Sequence, residues 1–94
     1  MLAVPTVHLN GTSKQELLDQ LQNAFRAVRE AQNVLAKAAP HGRDYYVQDA
    51  DHPAMKGGAI FTAQAQHHAR MAKLAGVCEE LEQIAIAVQD QGRK

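Results

Sequence analysis

Leu18, Leu21, Phe25, Val28, Gln32 and Leu35 recur at alternating steps of three and four residues. That spacing follows a 3.5-residue repeat, so the segment buries this stripe by lying along another helix. Leu17, Ala24, Ala31 and Ala38 widen it. The same spacing returns in Ile60, Gln64, His67, Met71, Leu74, Cys78, Leu81, Ala85 and Val88, with Val77 and Ile84 beside it. The chain is therefore expected to be all-α: an antiparallel helical hairpin with an extended N-terminal arm and a long inter-helix loop, assembling into a dimeric or higher helical bundle. One domain covers 1–94, with the arm at 1–12, a first helix at 13–39, the loop at 40–58 and a second helix at 59–91.

The boundaries come from local chemistry. Pro5 keeps the arm out of helix, and Val4, Val7 and Leu9 there need cover. Asn10-Gly11 signals a turn. Ser13-Lys14-Gln15-Glu16 matches a capping box, in which the serine oxygen accepts from the N–H three residues on. Pro40 disfavours helix at Ala39 and closes the first pattern. Pro40, Gly42, Pro53, Gly57 and Gly58 make 40–58 read as irregular, with a short helical turn allowed near Pro53–Lys56. The second helix ends before Gly92, with Arg93 and Lys94 near its C-terminus. Placing Ala38 opposite Ile60 would gather Gln32, Gln64 and His67 into one polar layer. Such a layer either fixes register or contacts a ligand.

Alanine-rich faces bury little area each, and a chain of 94 residues has a marginal core on its own, so self-association is the natural way to complete it. Ten basic and ten acidic residues cancel, which argues against nonspecific nucleic-acid or membrane-surface binding. No signal-peptide pattern opens the chain, and no apolar run reaches the roughly 20 residues of a membrane span. Cys78 stands alone, which fits a reducing cytoplasm and a core position. His8, His41, His52, His67 and His68 lack the i, i+4 helical spacing of a metal site, so no metal and no cofactor are expected. Lys56-Gly57-Gly58 lacks the spacing of a phosphate-cradling loop. Nothing assembles a nucleophile, a base and an oxyanion donor, and the reading is non-enzymatic.

Two polar segments carry the candidate chemistry. Arg43 can grip phosphate or carboxylate, Tyr45 and Tyr46 can stack on a base, and Asp44 can accept from sugar hydroxyls or ring N–H groups. Alternatively Arg43 and Asp44 pair locally while the rings seal the bundle end. His8, Asn10, Thr12 and Ser13 lie at a helix N-terminus, which favours an anion, although capping and turn formation account for the same residues. A first helix of about 26 residues spans on the order of 39 Å, so the two segments sit at its opposite ends. A shared site then needs the arm of one copy beside the loop of another.

The order of a His8–Ser13 HLNGTS segment, an amphipathic helix, a Gly42–Tyr46 GRDYY segment and a second long helix resembles a group of small bacteriophage and prophage proteins of unknown function. The resemblance covers nearly the whole chain. The residue before that glycine is typically asparagine in the group and is His41 here. What it implies is a phage or prophage origin and a role in the host cytoplasm. The expected function is binding of a small nucleotide-like ligand at a composite oligomer site. The alternatives are a helical module docking on a host or phage protein, and a virion or assembly component.

Overall fold

The computed structural model describes residues 1–51 and 58–92. Two long helices, α1 (Lys14–Ala36) and α3 (Gly58–Gln89), pack as an antiparallel hairpin, joined through a 3-10 turn at Gly42–Asp44 and a short helix α2 (Tyr46–Asp51). The expected turn at Pro53–Lys56 and the basic pair Arg93 and Lys94 lie outside the described residues.

Ser13 starts α1 as its spacing predicts. Its backbone is extended (φ −62°, ψ 153°) and its Oγ accepts from the Glu16 N–H at 3.1 Å, satisfying one of the orphan donors of the first turn. The far end falls short of Ala39. From Lys37 to Ala39 each N–H bonds back three residues, to Val34, Leu35 and Ala36, so the helix tightens and stops ahead of Pro40. Gly92, with φ of 85°, takes the left-handed conformation just beyond α3.

The loop departs from expectation. Instead of irregular chain, Gly42–Asp44 and Tyr46–Asp51 are helical, and α2 folds back on α3. The Asp49 carboxylate accepts from the Ala59 N–H at 3.3 Å, capping the start of α3. No proline or glycine interrupts 43–51, so nothing there opposes a turn of helix. Folding back uses up chain and shifts the hairpin register. Gln32 consequently meets Cys78, Sγ donating to Oε1 at 3.7 Å. Cys78 lies eleven residues, roughly 16 Å, along α3 from His67, so Gln32, Gln64 and His67 do not form one layer.

The arm also folds back. Half-buried Leu2 and a fully exposed Met1 share an open hollow with Gly76, Glu79, Glu80 and Gln83, while Pro5 and Val7 are held by Gln91. Six extended steps cover about 20 Å, close to the roughly 22 Å of helix from Gly76 to Gln91. The arm thus runs parallel to the C-terminal half of α3 and reaches no further. It covers part of Val7, leaves Val4 39% exposed and leaves Leu9 98% exposed.

The result is a rod with a radius of gyration of 20.3 Å and extents of 65 × 24 × 20 Å; a compact chain of this length has a radius of about 12 Å. Among the described residues the buried ones are Ala59, Ala63, His67, Cys78 and Val88, all on α3, and α1 buries none. α3 is flanked by α1, α2 and the arm, whereas α1 has only one long neighbour. No described helix is long and apolar enough to cross a membrane.

Candidate functional site

His8–Ser13 forms a tight turn feeding into the α1 cap. The Gly11 N–H donates to the His8 carbonyl at 3.1 Å, and the His8 ring lies over Gly11 so closely that a Cβ there would sit 2.7 Å from Nε2. The absence of a side chain at Gly11 lets the His8 ring lie over it. Lys14 Nζ donates to the Gln91 carbonyl at 2.7 Å, tying the start of α1 to the end of α3. His8, Asn10, Thr12 and Ser13 are all exposed. The Ser13 hydroxyl accepts from helix N–H, so its role is capping first.

The Gly42–Tyr46 segment is a hydrogen-bonded turn. Asp44 N–H donates to the His41 carbonyl and Tyr45 N–H to the Gly42 carbonyl, each at 3.0 Å. His41 caps it, Nδ1 accepting from the Arg43 N–H at 3.4 Å. An asparagine carbonyl makes this i to i+2 contact in an Asx turn, so an imidazole acceptor here stands in for an amide. Arg43 and Asp44 are exposed, and among the described residues no ion pair links them. Tyr45 is half-buried, while Tyr46 is 66% exposed. Tyr45 is thus the less accessible ring of the pair.

The two segments are not brought together in one copy. α1, with 23 residues, spans about 34 Å between them. The arm does not bridge that distance, because it lies along the terminal half of α3. Among the described residues no three His, Cys, Asp or Glu side chains converge as a metal site requires.

One feature escaped the sequence reading. On one flank of the hairpin, Leu18, Leu21, Phe25, Leu81 and Ala85 line an open groove of about 520 Å³, edged by Asp19 and Glu82. A second hollow of about 340 Å³ adjoins it at Ile86. These residues belong to the seams or sit beside them, and the signal was their width: too many apolar positions for one helix partner to cover.

Comparison with protein families, with curated proteins and with solved structures gave no match.

Proposed function

We propose that this chain is a non-enzymatic binding protein for a small nucleotide-like ligand, held between copies of the hairpin. The observation that carries the reading is the presentation of Arg43, Asp44 and Tyr46. They stand exposed on one short hydrogen-bonded turn, with a guanidinium for phosphate, a carboxylate for hydroxyl or ring N–H, and an aromatic face for a base. His8, Asn10, Thr12 and Ser13 of a neighbouring copy would complete the site at a helix N-terminus. On the resemblance to small phage proteins, capture of a host defence signalling nucleotide is the concrete version, by analogy only.

The test is calorimetry against a panel of cyclic and linear nucleotides, with Arg43→Ala and Tyr46→Ala as controls. Heat from one ligand, lost in each control, supports the reading. No heat from any of them, at concentrations well above micromolar, would sink it. The open apolar groove favours a second reading, a helical module docking on a host or phage protein. It predicts a stoichiometric protein partner that survives Arg43→Ala.

A further inference from the structure

We infer that the exposed flank of α3 is the contact surface for a second copy of this chain, packed antiparallel about a two-fold axis between Ala72 and Ala75. The flank carries its own 3.5-residue stripe, running from Phe61 to Ile86 at alternating steps of four and three, beside the seam that faces α1. Every residue of it is exposed in the single hairpin, including the Phe61 ring at 69% and Ile86 at 53%.

The stripe reads as its own complement when reversed. An antiparallel copy in this register sets Phe61 against Ile86 and His68 against Glu79. Ala65 then meets Glu82, and Ala72 meets Ala75. Apolar anchors close the two ends, an imidazole faces a carboxylate in each half, and small side chains at the axis let the helices approach to about 8 Å. Because the contact is isologous, each of these pairs occurs twice.

Charge selects the same orientation. Cut at the level of the axis, close to where Gln32 meets Cys78, the terminal half, residues 1–33 with 74–94, has five basic and seven acidic residues; the loop half, residues 34–73, has five basic and three acidic. The neutral chain is thus polarised along its axis. An antiparallel copy lays each acidic half against a basic half, and a parallel one stacks like on like.

Area supplies the need. The chain exposes 7140 Å², about 1,800 Å² more than the roughly 5,400 Å² of a compact protein of this mass. A standard interface takes about 800 Å² from each partner. The groove at Leu18, Phe25 and Leu81 lies on the same flank, so the loop end of the second copy comes to rest over it. In this register Ala59 draws level with Val88 of the other copy, bringing the loop end of one hairpin to the terminal end of the next. The interface is what the composite ligand site would be built on. Absence of ligand heat from an intact dimer removes the ligand and leaves the interface, whereas a monomer removes both.

The experiment is sedimentation equilibrium over a dilution series. The intact chain is expected at twice its 10.3 kDa mass, or an even multiple. Ala72→Glu with Ala75→Glu should weaken association at least tenfold, and so should Ala72→Lys with Ala75→Lys. An equimolar mixture of the two should restore it. Ala69→Glu, exposed on α3 but off the stripe, controls for the added charge, and helicity by circular dichroism controls for folding. A monomeric or odd-multiple wild type overturns the inference. So does association unchanged in both charge variants, or a folded mixture that does not reassociate.

Discussion

Gln91 holds the arm at Val7 as a β-strand neighbour would. The Val7 N–H donates to Gln91 Oε1 at 2.8 Å, and Gln91 Nε2 donates to the Pro5 carbonyl at 2.6 Å. One carboxamide therefore serves both backbone groups on the same edge of the arm, at positions two residues apart. Its own carbonyl takes Lys14 Nζ, so a single residue joins the arm, the start of α1 and the end of α3.

Replacing Gln91 tests that junction. Gln91→Ala removes two hydrogen bonds, each contributing about 0.5–1.5 kcal/mol, and should release the arm without unfolding the hairpin. Gln91→Glu should release it too, because a carboxylate can accept from Val7 but cannot donate to the Pro5 carbonyl. Amide hydrogen exchange at Val7 is the readout. Protection equal to wild type in Gln91→Ala contradicts the latch.

Ser13→Ala should cost about 1 kcal/mol through loss of the α1 cap. For a domain of this size that lowers Tm by roughly 4–8 °C. Ser13→Asp should recover most of it, since aspartate caps equally well. A cap variant as stable as wild type would mean that packing alone sets the start of α1.

Gly11→Ala separates the turn from the fold. The added methyl meets the end of the His8 ring, which can swing away, so stability should change by less than about 0.5 kcal/mol. The ring must move, however, and ligand affinity at a site using His8 should fall. Histidine ring resonances and calorimetry on the same sample check the two halves of this prediction.

Adjacent tyrosines should behave differently. Tyr46 is exposed and Tyr45 half-buried, so Tyr46→Ala should leave Tm nearly unchanged while Tyr45→Ala lowers it. Ligand heat lost in Tyr46→Ala at unchanged Tm would assign that ring to binding. Equal destabilisation by both would assign the pair to closing the bundle end.

The hairpin was legible because each seam is long and strictly periodic, and Ser13 announces its helix by a local hydrogen bond. The register was not. Gln32 meets Cys78 because α2 folds back on α3, and no local signal in Tyr46–Asp51 says where a short helix will dock. The arm was hidden for the same reason: its course depends on Gln91, 84 residues from Val7. The Phe61–Ile86 stripe was present in the sequence, but the stronger α1-facing seam beside it absorbs the periodic signal. Of the candidate site, the exposure of Arg43 and Asp44 follows from their charge, whereas which of two identical neighbours, Tyr45 or Tyr46, is exposed depends on how the turn docks. Whether they face a second copy is set by quaternary packing, which local sequence does not encode.

Disulfide capture between copies tests the antiparallel pairing most directly. His68 and Glu79 are eleven residues apart on α3, about 16 Å, too far for a bond that needs Cα atoms about 4.4–6.8 Å apart. In a Cys78→Ser background, which keeps a donor toward Gln32, His68→Cys with Glu79→Cys can link only between chains. The account predicts a covalent dimer on mild oxidation of that double variant, and monomers from His68→Cys or Glu79→Cys alone. Monomers from the double variant, or equal linking by either single variant, would contradict it.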